Sequence, residues 1–279
     1  MSDMLMRFPG GKAKVFTMSY DDGVETDKRL IEIMDRYGLK GTFNINSGLF
    51  APEGTVYPKD AYHRRMTEKQ AVELYTNSGH EVGVHAVTHP FLEELPVVTA
   101  AAEVVGDRRR LEQLFGGTIR GMAYPYGTYN DAVVEIVKNA GIIYSRTTIS
   151  TENFNIPDDW LRLPATCHHI NPKLMELADR FIDLQIWGKS QMFYLWGHSY
   201  EFERDNNWEV IEEFAEKIGG REDIWYATNI EIFDYITAFK QLRFNVDMTY
   251  VENPTNTDLW LAYDGKIYEI RHGERVTIK

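Results

Sequence analysis

Short apolar runs alternate with amphipathic stretches along most of the chain. Residues 14–20 read as a buried strand, and the helical pattern over 26–37 ends at Gly38. A strand over 41–46 follows. A helix then opens at Thr67 with capping-type residues and closes at Gly79. The same alternation predicts strands over 81–85, 121–126, 142–147, 161–167, 191–197 and 224–228. Between and after them it predicts helices over 96–114, 131–139, 172–186, 208–218 and 231–242. Alternating strands and helices imply parallel βα units, and seven or eight of them suit a closed (β/α) barrel better than an open sheet. The tail differs. Segments 257–263 and 266–270 flank Asp264-Gly265, a hairpin signal, and 275–278 is expected to add a third strand. The expected organisation is a barrel over 1–245 and a β extension over 246–279 packed on it, too short for a core of its own.

Composition narrows the partners. Lys plus Arg is 30 and Asp plus Glu is 42, so the formal charge is 30 − 42 = −12. An acidic chain argues against nucleic acid. The single cysteine, Cys167, excludes an internal disulfide and a thiolate-rich zinc site, and reads as a buried core thiol. Residues 1–10 hold no long apolar stretch. The sequence therefore shows neither a signal peptide nor a membrane span, and a cytoplasmic address is the expectation.

The chemistry gathers after the predicted strands. Asp21 and Asp22, followed by Gly23, close the first strand. Adjacent, partly buried carboxylates repel, and a cation offsets that cost. Asp-Asp-Gly is also ordinary turn chemistry. His85 and His89 follow the third strand. One carboxylate and two imidazoles would leave a coordination position open, as in catalytic metal sites; read alone, the two histidines equally suit loop caps or core hydrogen bonds. Ala123 to Gly127 is either an aromatic turn or a rigid loop aiming a backbone N–H at the site. His198, after a buried strand, is either a core histidine or a site residue.

Taken in order, these motifs resemble the polysaccharide deacetylases of carbohydrate esterase family four, the NodB-like homology domain. The resemblance spans residues 12–240 and implies a distorted barrel. It also implies residue roles: Asp21 as general base, Asp22, His85 and His89 as metal ligands, Tyr126 as the backbone oxyanion donor, and His198 as general acid. The implied cofactor is one divalent metal, zinc first. By ligand type alone the set equally suits cobalt, nickel or manganese. The implied reaction removes an N- or O-acetyl group from a saccharide.

The sequence departs from the family at Ala123, where an arginine that pairs with the base is usual. Arg146 is the candidate replacement; its other reading is a surface arginine. Asp159-Trp160 lies far in sequence from His198, and Glu201 and Glu203 are nearer. Tyr124, Tyr126, Tyr129, Trp160, Trp196 and Tyr200 are expected around the mouth, with Trp196 a substrate-contact candidate. His168 and His169 are expected to face the same mouth. The rival readings are a hydrolase of a non-sugar amide or imide in the same superfamily, and an inactive carbohydrate-binding protein. The oligomeric state is not readable.

Overall fold

The computed structural model describes residues 4–278; the expected domain limits at 1 and 279 lie outside them. The first half runs β1 (Leu5–Arg7), β2 (Lys14–Asp21), α1 (Asp27–Arg36), β3 (Gly41–Ile45), α2 (Glu68–Tyr75), β4 (Glu81–Val84), α3 (Val97–Phe115), β5 (Gly121–Ala123), α4 (Asp131–Asn139) and β6 (Tyr144–Ser150). The second half runs β7 (Leu163–Ala165), β8 (Cys167–His168), α5 (Leu174–Asp183), β9 (Gln191–Gly197), α6 (Tyr200–Arg204), α7 (Trp208–Ile218), β10 (Ile224–Tyr226) and α8 (Asn229–Phe239). Five short strands close the chain: β11 (Arg243–Phe244), β12 (Tyr250–Glu252), β13 (Leu259–Tyr263), β14 (Lys266–Ile270) and β15 (Arg275–Thr277).

The central sheet is wholly parallel, in the order β7-β6-β5-β4-β3-β2-β9-β8. β7 and β8 are two halves of one strand broken at Thr166. The first half pairs with β6 and the second with β9, so this segment closes the sheet into a barrel. Thr166 holds the join: its N–H donates to Tyr194 O at 2.8 Å, and its hydroxyl accepts from Tyr194 N at 3.0 Å. The single strand expected over 161–167 is thus shorter at its start and interrupted, because it changes partner midway. β10 pairs with β2 only at Lys14 to Phe16, whereas β3 pairs with β2 only at Met18 to Asp21. β10 therefore wedges in at one end of the barrel as an eighth strand, which is the distortion.

Every residue of β2 is buried. Alternation sends Phe16, Met18 and Tyr20 outward against the helices, where they join the main apolar cluster. Thr17, Ser19 and Asp21 face the interior. That interior is polar at several levels. Near the strand N-termini, Glu81 accepts from Thr42 Oγ1 at 2.8 Å and Tyr144 OH at 2.6 Å. Midway, Asn229 Nδ2 donates to Tyr194 OH at 2.8 Å. At the C-terminal end, Asn44 Nδ2 donates to Ser19 Oγ at 2.8 Å and to Asp21 Oδ1 at 2.9 Å. Gly83 makes room for this last group, since a Cβ there would lie 2.4 Å from Asn44 Oδ1.

The tail does form the expected β13–β14 hairpin, with both Asp264 and Gly265 left-handed at φ 50° and 74°. The pairing of its neighbours differs from expectation. β15 joins β12 and β11 in a separate sheet, and the hairpin's third strand is β1. Tyr235 on α8 ties this layer down: its hydroxyl donates to Arg7 O at 2.6 Å and accepts from Trp260 N at 3.0 Å. Among the described residues, no helix is long and apolar enough to cross a membrane.

Candidate metal and acid–base site

The C-terminal ends of β2, β4, β6, β8 and β9 bring most of the sequence-identified residues together. One ligand atom from each of Asp22, His85 and His89 lies within 4.8 Å of the others. Asp22 and His89 are both left-handed, at φ 88° and 56°, as is Ala86 at 62°. Such backbone costs energy and persists where surrounding structure imposes it. Here Asn46 Nδ2 donates to the carbonyls of His85 and Ala86, the latter at 2.9 Å. Asp107 on α3 accepts from Ser47 N at 2.7 Å and His85 N at 2.9 Å.

The His85 ring is set by its own backbone surroundings. Its Nδ1 lies 2.7 Å from the carbonyl oxygen of Ala123, so Nδ1 carries the hydrogen and Nε2 keeps its lone pair for a metal. Burial lowers the basicity of both imidazoles. His89, further repelled by His85, is brought to about 4, and metal ligation requires such neutral rings. Asp22 is oriented by Arg65 at 3.0 Å and by His63 Nε2 at 3.0 Å. Burial pushes its carboxyl up, but the His63 hydrogen bond and the Arg65 charge outweigh that and keep it ionised. The donor set is chemically suited to a divalent ion.

Asp21 lies beside this cluster and is nearly fully buried. Its Oδ2 pairs with the Arg146 guanidinium and is 4.0 Å from His85 Nε2 and 3.8 Å from His198 Nε2. Burial raises its pKa; Arg146, then His85 and His198, more than reverse this and hold it below the usual carboxylate range. Arg146 is only 1% exposed and so is no surface residue. It pairs in register with Ala123 on the adjacent strand, so its side chain starts one strand over at the same level. The Trp196 ring stacks on the guanidinium, 4.3 Å away.

His198 Nδ1 faces Glu201 Oε2 at 3.4 Å. Burial works against the His198 proton, but Glu201, Asp21 and Asp22 outweigh it and raise its pKa. Glu203 points elsewhere, into a bidentate pair with Arg64. Asp159 and Trp160 precede β7 and sit at the opposite end of the barrel, where Asp159 binds Arg162 and Trp160 packs on Phe233. Trp160 is therefore not at the mouth. It departs from expectation because it precedes a strand instead of following one. Tyr126 does lie at the mouth, half-exposed and left-handed at φ 57°, with its ring 4.5 Å from His89 and stacked on Phe91. Cys167 is buried, and burial pushes its thiol up to about 12, which leaves it unreactive.

Five contributors were not singled out in the sequence: Asn44, Asn46, Asp107, His63 and Arg65. Asp107 left a signal. It shares one helix face with Ala100, Val104 and Leu111, all buried, and a carboxylate in an apolar stripe needs partners.

Residues 9–145 match the family model for polysaccharide deacetylases. The match takes in Asp21, Asp22, His85 and His89, and it places this stretch of the chain in the polysaccharide deacetylase family. Among solved structures, a putative polysaccharide deacetylase from Mycobacterium smegmatis shares 16% identity, with 86% of this chain and 96% of that chain covered, at a TM-score of 0.59. A variant of the peptidoglycan deacetylase PdaC from Bacillus subtilis shares 16% identity, with 84% and 95% covered, at 0.50. The deacetylase PplD from Streptococcus pyogenes, in complex with acetate, shares 24% identity over 47% of this chain and 55% of that chain, at 0.42. No curated protein matches the chain.

Proposed function

We propose that the chain is a metal-dependent deacetylase that removes an acetyl group from a saccharide. The observation that carries this reading is the position of Asp21 Oδ2, 4.0 Å from the candidate ligand His85 and 3.8 Å from His198. A base so placed serves water on one side and a proton donor on the other. Asp22, His85 and His89 would hold the ion, zinc first by ligand type. When bound, a divalent ion supplies Lewis acidity at the acyl carbonyl and a more acidic water. Asp21, ionised and oriented by Arg146 and Asn44, accepts the proton of the attacking water. The backbone N–H of Tyr126 is the candidate donor to the oxyanion. As the bond from acyl carbon to nitrogen or oxygen breaks, His198 gives its proton to the leaving amine or alcohol, and acetate is the second product. The proton gained by Asp21 and the one lost by His198 balance, and the two groups are close enough to return it through one water.

One feature favours a small substrate. The loop over residues 46–66 lies along the mouth, with Arg65 and His63 on Asp22 and with Arg64 bridging Glu25 and Glu203. A soluble amide or imide is the second reading on that ground. Acetate release should be measured from acetylated sugars and small amides, with metal-stripped protein and added zinc or cobalt. Metal-dependent release from a sugar is expected. Asp21→Asn should keep the metal and lose turnover on the order of 10²–10⁴-fold, and His85→Ala should lose both. Near-normal turnover in Asp21→Asn would refute the assigned base. Release from amides alone would replace the sugar reading.

A further inference from the structure

A second cluster at the mouth also groups one carboxylate with two imidazoles. Ligand-type atoms of His168, His198 and Glu201 also lie within 4.8 Å of one another. Three imidazole nitrogens surround the single oxygen Glu201 Oε2: His168 Nε2 at 3.2 Å, His169 Nε2 at 3.3 Å and His198 Nδ1 at 3.4 Å. Composition alone would make this a second metal site.

Tautomers separate the two clusters. His85 Nδ1 faces a carbonyl oxygen, which leaves Nε2 free to bind a cation. His168 Nδ1 instead accepts from the backbone N–H of Ile170 at 3.2 Å. Its proton is then on Nε2, the atom that faces Glu201. A neutral imidazole protonated at Nε2 cannot ligate a metal there; it can only donate.

We propose that His168 is a positioning residue for His198. By donating Nε2–H to Glu201 it holds that carboxylate against His198 Nδ1 and takes up a share of its charge, so it sets how strongly His198 keeps its proton. This rests on the reading of His198 as the acid. The groups facing His198 are Asp21 from β2, Glu201 and Tyr200 from α6, His168 from β8 and Trp196 from β9, and His169, just after β8, shares the Glu201 oxygen and interacts electrostatically with His198. The charge of Asp22 also reaches it. Arg204 Nη1 flanks the far oxygen of Glu201 at 3.7 Å. With the His168 donor removed, the negative charge of Glu201 falls more fully on His198, which then holds its proton to higher pH. The His168 ring is edge-on to Trp196 at 4.3 Å. His168→Phe therefore keeps an aromatic ring there and removes only the donor, whereas His168→Gln keeps a donor.

The test is a histidine NMR titration of the metal-free protein, with metal binding counted separately by equilibrium dialysis against zinc. His168 is expected in the Nε2–H tautomer. The His198 midpoint is expected to rise by on the order of half to one pH unit in His168→Phe. It should return in His168→Gln and fall below wild type in Glu201→Gln. Zinc should bind at one ion per chain in wild type and in His168→Phe, and be lost in His89→Ala. A His198 midpoint unmoved in His168→Phe while Glu201→Gln lowers it would overturn the proposal. So would two ions per chain with one lost in His168→Phe. Neither readout needs turnover. Absent deacetylation with the NMR shift intact would therefore sink the functional reading alone, and the reverse result would sink this one alone.

Discussion

Arg146 and Asp21 form a pair in which both partners are almost completely buried, and such pairs are expensive to break from one side. Arg146→Ala would leave an uncompensated carboxylate inside the barrel, a loss of about 3–5 kcal/mol. Because Ala123 and Arg146 lie in register on adjacent strands, the guanidinium can in principle be moved back one strand. Arg146→Ala is expected to lower the melting temperature and nearly abolish turnover. The double variant Ala123→Arg with Arg146→Ala is expected to recover at least tenfold of the lost turnover. A double variant no better than the single one would show that the position of the guanidinium, and not its presence alone, is what Asp21 requires. The pair also shows what the sequence made legible. Asp21, Asp22, His85, His89 and His198 follow strands and announce themselves by residue type. Arg146 is only a candidate in the sequence, because nothing local says whether an arginine within a strand turns inward. Asn44 and Asn46 were invisible, since asparagine at a strand end is ordinary turn chemistry.

The metal cluster depends on elements that carry no ligand. Helix α3 lies behind β4, and its Asp107 uses both carboxylate oxygens to hold the backbone of His85 and of the loop that starts at Ser47. Asp107→Asn turns one of those acceptors into a donor facing an N–H. The expected cost is about 1–3 kcal/mol, with weaker zinc binding, because the left-handed turn from Ala86 to His89 loses an anchor. A thermal melt together with a zinc titration checks this; unchanged zinc affinity at lowered stability would mean that the ligand turn is held by Asn46 alone. At this scale the order of strands and helices was readable, because it rests on local periodicity. Partner choice was not. The break at Thr166, the wedge formed by β10, and the pairing of β1 with the terminal hairpin are all long-range events. The Asp264-Gly265 turn specifies a hairpin but not its neighbour, which is β1 and not the expected β15.

The whole molecule carries two opposed sets of carboxyls. Asp21 and Asp22 have folded-state pKa values below their unfolded ones, so their contribution is present above about pH 4 and is lost as pH falls below it. Asp27, Glu81 and Asp107 behave oppositely. Burial drives each up to about 7, against the hydrogen bonds each accepts. Between about pH 4 and 7 these three hold protons in the folded state that the unfolded chain has released. The folded state then binds more protons, so the slope of stability with pH is negative across that window. Their stabilisation is complete below about pH 4 and declines as pH rises towards 7. The carboxyls alone favour mild acid, but His80, His85, His89 and His169, whose proton binding burial disfavours, oppose them as pH falls below about 6.5, so the net profile is not set by either set alone. Glu81 isolates the effect, because it sits at the barrel end away from the metal and acid–base residues, among Thr42, Tyr144 and the N–H of Ile230. Glu81→Gln fixes that position in a neutral form. Across about pH 5 to 8 the urea midpoint of Glu81→Gln should gain on that of wild type as pH rises, whatever the slope of either curve. Parallel curves would mean that Glu81 stays charged throughout, and that the three donors around it outweigh its burial.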